Sequence, residues 1–388
     1  MLTEQMILRI PGPTPVPPRV QLAMQQPMIG HRDPETSDLL KQVGPGLQQL
    51  FGTTQQVSIV AGSGTSGLEA AVINTVAPGE KVIVCVTGAF GERFVSICKS
   101  YEIDVVVLEE QWGEAVNADR LKKSLLEHSD VTAVFLTYCE TSTGVLNPIE
   151  KLSSVVHKYS DALVIVDAVS CLGGVETKLD DWGLDIVVTG SQKALMLPGG
   201  LMFVAFSERA RAKMEANPRP RFYLDLLKYD KASKEFSTPF TPATSLLFGL
   251  QEVVQLLAEE TIEGVYDRHR LMREMTRRGL EAMNLNLLAT DAVASPTVTA
   301  FTVPTVEAKQ VRKALKEQFG IRIAAGQGHQ KDTVLRIGHM GYCTATDVLT
   351  VLTALEIVLM DLGHTFSPGA GTVAAQQVFL KKGTGVHV

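Results

Sequence analysis

A chain of 388 residues with 45% hydrophobic and 20% charged side chains has the make-up of an ordinary globular protein, which excludes disordered and fibrous classes. Its length predicts one large domain with a smaller satellite. A formal net charge of -6 leaves no general basic footprint for nucleic acid, and no run approaches the roughly 20 apolar residues of a membrane span.

Five scattered cysteines (Cys85, Cys98, Cys139, Cys171, Cys343) show no ligand-like spacing and read as buried thiols in a reducing compartment. His31, His157, His269 and His329 form no cluster with them, so no metal site is expected. Met1 to Ile10 includes Glu4 and Arg9 and lacks the apolar core of a signal peptide. A soluble cytoplasmic protein is the expectation.

In chain order, the prolines of Pro11–Pro18 remove donors and fix φ, predicting an extended arm. An amphipathic helix is expected from about Ser37 to Phe51. The strand Val57–Ala61 then leads into Gly62-Ser-Gly-Thr-Ser-Gly67 and a helix over Leu68–Val76. That loop matches a GxGxxG pattern, yet the next strand, Lys81–Val86, ends in Thr87-Gly88 and supplies no acid for a ribose. Common to a dinucleotide site and any other phosphate site is the physics of small residues that let N–H groups at a helix start approach a phosphate. A plain strand–helix turn is the bland alternative.

Thr87–Arg93 opens another helix, with Phe90 in its first turn. Strand Asp104–Leu108, helix Asn117–Glu127 and strand Val131–Tyr138 continue a βα alternation that implies a parallel sheet. Helix Asn147–Lys158 follows. Strand Ala162–Asp167 ends in a carboxylate, and the strand Ile186–Val188 delivers Lys193 to the same sheet edge, where α/β proteins place their chemistry. A lysine in partly apolar surroundings loses its proton easily, and its neutral amine then attacks carbonyls to form a Schiff base. Pyridoxal phosphate needs such a pair, the amine for its aldehyde and the acid for its pyridine nitrogen. Asp167 as a turn cap and Lys193 as a surface loop lysine are the alternatives.

Leu201–Phe206 closes the sheet, and 218–238 reads as polar and irregular. Ser237–Ala243 caps a helix starting near Ser245, and helical periodicity runs with interruptions from Leu246 to Met283. Arg268, Arg270, Arg273, Arg277 and Arg278 read as a solvated face. Strands Val298–Val303, Ile321–Ala324 and Val334–Ile337 and helices Val306–Phe319 and Ala345–Leu362 form the smaller α/β unit; the tail after His364 reads as flexible in part. Arg336, embedded in an apolar strand, must meet an anion or reach an opening, since burying it unpaired is costly. A substrate carboxylate and an internal salt bridge are the two options.

Val166–Ser170, Gly173-Gly174, Asp185, Thr189–Ala194 and Glu140–Val145, flanked by Pro11–Pro13 and Arg336–Gly338, resemble the class V pyridoxal-phosphate aminotransferases. The similarity is greatest to the alanine–glyoxylate and serine–pyruvate branch. That resemblance implies a fold type I α/β architecture, with a mostly parallel seven-stranded sheet between helices and Leu201–Phe206 antiparallel to its neighbours. It also implies an N-terminal arm (1–20), a large cofactor domain (21–260) and a small domain (261–388). It assigns Lys193 and Asp167 to catalysis, and Ser63, Gly64, Thr65 and Gln192 to the cofactor's phosphate. Phe90 is assigned to its ring face, Thr141 to its phenolic oxygen and Val169 to further cofactor contact, with Arg336 and Gly12 at the substrate. Thr241 is placed against the phosphate of a neighbouring subunit, hence a homodimer. The implied reaction passes an amino group from alanine or serine to glyoxylate or pyruvate. Aspartate and ureidoglycine are alternative donors, the former weakened because no second arginine is placed to meet a side-chain carboxylate. A nucleotide-binding oxidoreductase and a non-catalytic scaffold are readings of other classes.

Overall fold

Four runs rich in branched apolar residues form the middle of the fold. They are Lys81–Val86, Val131–Thr137, Leu163–Asp167 and Ile186–Gly190, and nearly every residue in them is buried. Burial on both faces is what a parallel sheet between two helical layers requires. The structure, a computed structural model, describes residues 6–382. Its large sheet holds seven strands: β1 (Ser58–Gly62), β2 (Lys81–Val86), β3 (Asp104–Glu109), β4 (Val131–Thr137), β5 (Leu163–Asp167), β6 (Ile186–Gly190) and β7 (Gly200–Phe206). The order is β1-β7-β6-β5-β4-β2-β3, and only β7 runs antiparallel to its neighbours.

Alternation along the strands divides the core. Val164, Val166 and Val187 join Leu47 and Phe51 on one face, whereas Leu163, Ile165, Ile186 and Val188 join Leu68 and Phe94 on the other. A third cluster packs helices Ile262–Ala282, Ala308–Phe319 and Ala345–Asp361 against an antiparallel sheet in which Val298–Thr302 pairs with Val334–Gly338. The N-terminal arm ties these layers together. Ile7–Leu8 pairs in parallel with Ile321–Arg322, Arg9 forms an ion pair with Asp347, and Thr14 Oγ1 donates to the Lys193 carbonyl at 2.9 Å.

Three expectations are corrected. The stretch 218–238 contains the helix Leu226–Lys234, which buries Leu226, Tyr229 and Asp230; Asp230 is paired with Arg211. Its apolar face is only one turn long, too short to stand out among charges. The tail after His364 folds into the helix Ala370–Lys382, where Ala375 is buried and Thr372 donates to the Glu356 carboxylate. Residues 1–5 and 383–388, the ends of the arm and tail, lie outside the described residues. The arginine face is divided: Arg268 is buried against Glu260 and the carbonyls of Gly341 and Cys343, and Arg277 against Asp291 and the Ala289 carbonyl. Charge counting cannot tell an arginine that snorkels to water from one that ties down a chain turn. No described helix is long and apolar enough to cross a membrane.

Candidate active site

Asp167 is the last residue of β5 and lies opposite Val188 of β6, so the acid and the chain leading to Lys193 emerge from adjacent parallel strands. Beyond β6 the chain is held by Ser191, which donates from its hydroxyl to the Pro198 carbonyl (2.7 Å) and accepts from Leu201 N–H (3.1 Å). The fixed turn directs Lys193 inward, where it is only 8% exposed, and Asp167 is 3% exposed. Both line one cavity of about 210 Å³. Gly12, Ser63, Gly64, Thr65, Phe90, Val169 and Gln192 line it too; Thr141, Thr241 and Arg336 do not.

Burial controls the charges. Loss of water pushes the Lys193 amine down to about 8, partly opposed by Cys139 and Asp167. The same cause pushes Asp167 up to about 6, against a hydrogen bond from Val169 N–H to Oδ1 (2.9 Å). Near neutral pH the amine is therefore far closer to its nucleophilic form than a lysine in water. Nζ donates to the Pro11 carbonyl, and Gly12 lies against the lysine stem at φ +110. A Cβ there would stand 2.5 Å from Lys193 Cδ and 2.9 Å from Nζ. Gly12→Ala is accordingly expected to displace the amine and lower kcat by about 10²-fold; steady-state rates equal to the parent's would contradict this contact.

The helix Gly64–Thr75 starts at the cavity. Ser63 caps it by accepting from Ser66 N–H (3.3 Å), and Ser66 Oγ accepts in return from Ser63 N–H (2.9 Å). First-turn N–H groups have no intrahelical acceptor, so this end suits an anion. Gly64 admits no side chain, because a Cβ would meet Val169 Cγ2 at 2.8 Å. Gln192 Oε1 is buried without a hydrogen-bond partner, a deficit that a bound polar group would remove. The dinucleotide reading of Gly62–Gly67 loses its support here: β2 is followed by Thr87, whose hydroxyl accepts from Asn147 Nδ2 (3.1 Å), and no acid follows for a ribose.

Two residues beyond the sequence-based set belong to the site. Glu140, fully buried, accepts from Phe90 N–H (3.1 Å), Gly91 N–H (3.1 Å) and Ser142 Oγ (2.6 Å). Burial pushes its carboxyl up, and the hydrogen bonds hold it down. It thus fixes the first turn of the helix Ala89–Ser100, where Phe90 is presented to the cavity. Arg93 also lines the cavity, with its guanidinium 4.5 Å over the Phe90 ring and Nη1 donating to Thr65 Oγ1 at 3.2 Å. This corrects the expectation that no second arginine stands near the site. The helical spacing of Phe90 and Arg93, i and i+3, was the signal available in the sequence.

Thr141 is buried and donates to Ser170 Oγ at 2.5 Å. Arg336 is 6% exposed and bonds two carbonyls, Nε to Ala325 (2.7 Å) and Nη1 to Thr141 (3.0 Å). Burial lowers it to about 10, with Glu140 pulling the other way. Among the described residues no carboxylate forms a salt bridge with it, so the internal ion pair is not what holds it. Thr241 is exposed.

An amine, an acid, an aromatic face and an anion cradle around one cavity fit pyridoxal phosphate, and the close approach of the Gly12 and Gly64 backbone to Lys193 and Val169 keeps side chains out of it. The chain is 41% identical over 380 residues to "Soluble hydrogenase, small subunit" of Synechococcus sp. (strain PCC 6716), covering 97% of this chain and 99% of that one. It is 34% identical over 382 residues to L-aspartate–glyoxylate aminotransferase of Paracoccus denitrificans (strain Pd 1222), covering 97% and 96%. The solved pyridoxamine-pyruvate aminotransferase of Mesorhizobium loti superposes with a TM-score of 0.92 at 32% identity, covering 97% of both chains. Residues 8–351 match the family described as "Aminotransferase class-V". The chain is a member of the class-V aminotransferases, and pyridoxal 5'-phosphate is the cofactor that this membership implies.

Proposed function

We propose that this protein is a transaminase that moves an amino group from a small amino acid, alanine or serine, to glyoxylate or pyruvate, with ping-pong kinetics and Lys193 as its covalent and proton-carrying residue. The observation that carries the reading is the convergence of Lys193 and Asp167 on one cavity of about 210 Å³, with both groups shifted by burial. When bound, the cofactor supplies an aldehyde for the lysine amine and a ring that accepts an electron pair. Lys193 is the residue that would hold the aldehyde, and its Nζ would hold and move the proton at the substrate carbon. Asp167, whose Oδ1 accepts from Val169 N–H, would hold the ring nitrogen. Phe90 would pack the ring face, Thr141 would meet the phenolic oxygen, Val169 would support the ring, and Ser63, Gly64, Thr65 and Gln192 would take the phosphate.

Arg336 receives the substrate carboxylate, its fork oriented by the Ala325 and Thr141 carbonyls. Arg336→Lys should raise KM for both substrates by about tenfold or more, since a point cation cannot replace the fork. An unchanged KM would remove the arginine from the substrate site. Exposed Thr241 supports a homodimer in which it reaches the partner's cofactor, and gel filtration showing an active monomer would contradict that arrangement. Five buried free thiols support a reducing, cytoplasmic setting.

A second reading has an observation of its own. Arg93 at the cavity would suit a donor with a side-chain carboxylate, such as the aspartate named for the Paracoccus enzyme. A panel of amino donors assayed against glyoxylate and pyruvate separates the two: preference for alanine or serine supports the first reading, and preference for aspartate the second.

A further inference from the structure

Among the described residues Arg93 forms no salt bridge. Its contacts among the described residues are the Phe90 ring and Thr65 Oγ1, neither of which carries charge, and Asp167, the carboxylate of the same cavity that feels its field, forms no salt bridge with it. The ring contact holds the guanidinium in place by cation–π attraction and leaves donors of its fork for something else. Thr65 is the second residue of the helix Gly64–Thr75, so the guanidinium is tethered to the first turn of that helix, where the Gly64 and Thr65 N–H groups have no intrahelical acceptor. Ser63, Gly64, Thr65, Gln192 and Arg93 line one cavity.

Charge arithmetic names the missing partner. A phosphate monoester carries about -1.5 to -2 near neutral pH. A helix N-terminus offers roughly half a positive charge. Lys193 is committed to the aldehyde, and Arg336 does not line this cavity. Resting on the cofactor reading above, we infer that Arg93 is the charge partner of the cofactor's phosphate within the same subunit, clamped by Phe90 and positioned by the Thr65 hydroxyl. Phe90 then serves two contacts, and the dicarboxylate-donor reading loses the arginine on which it depends.

Apoprotein of the parent, Arg93→Ala and Arg93→Lys, titrated with pyridoxal 5'-phosphate and separately with pyridoxal, tests this by quenching of protein fluorescence. The expected result is a loss of about 10- to 100-fold in pyridoxal-phosphate affinity in Arg93→Ala, a smaller loss in Arg93→Lys, and unchanged affinity for pyridoxal, which has no phosphate. Inorganic phosphate should compete with the cofactor on the parent and compete less on Arg93→Ala. Equal weakening of both ligands would show that the arginine only supports Phe90, and would overturn the inference. Unchanged pyridoxal-phosphate affinity with a raised KM for aspartate alone would also overturn it, assigning Arg93 to a donor side chain. A parent protein that takes up no pyridoxal phosphate would instead refute the cofactor reading itself, a separate result.

Discussion

Lys193→Ala is expected to lose covalent cofactor and transaminase turnover together, the latter by at least the 10² to 10⁴ that a positioned proton carrier typically contributes. Among the described residues no second lysine lines the cavity to replace it. A variant that kept both its visible cofactor absorbance and its rate would remove Lys193 from the chemistry. A second effect has the opposite sign. Burial lowers the amine from 10.5 to about 8, so below pH 8 the folded apoprotein carries a cation it would rather expose. Between pH 8 and 10.5 the unfolded chain binds the extra proton, so this cost fades and stability rises with pH. At pH 7 the cost is about 3 kcal/mol, and Lys193→Met should therefore melt at a higher temperature than the apo parent. The same titration predicts that cofactor capture by the apoprotein accelerates as pH rises towards 8, where the amine loses its proton; capture that slows over that range would contradict it.

Asp167→Asn is the second large effect, a loss of about 10² to 10³ in kcat. Asparagine keeps an oxygen for Val169 N–H, so the cap and the fold survive while the negative charge is lost. A mere cap would tolerate the change at full activity. The carboxyl is pushed up to about 6 because burial opposes its charge. A positive ring nitrogen beside it reverses that balance and keeps it ionised through the working range. Asp167→Asn should thus weaken cofactor binding less than turnover, because its main loss is of the electron sink.

Much of this site was readable from the chain because its residues sit where regular elements end. Apolar runs announced β5 and β6, and the sheet edge they share explains why Asp167 and Lys193 meet without any contact in sequence. The antiparallel β7 came from the family resemblance; its own pattern, buried throughout most of its length, does not reveal direction. Arg93 and Glu140 escaped for different reasons. A helical arginine looks like any surface cation until its neighbours are known, and Glu140 owes its role to burial under a helix start 50 residues away in sequence. The arginines of helix Ile262–Ala282 failed in the same way, Arg268 and Arg277 being tied to carbonyls of distant segments. The helices Leu226–Lys234 and Ala370–Lys382 were missed because short or alanine-rich segments have weak periodicity and gain their stability from packing.

The most direct measurement is to load the purified protein with pyridoxal 5'-phosphate, reduce it with borohydride and map the modified peptide by mass spectrometry. The account predicts that the cofactor is fixed to Lys193, and that adding alanine or serine before reduction releases it. A label on another lysine, or none at all, would contradict the claim that this cavity joins Lys193 and Asp167 to one cofactor.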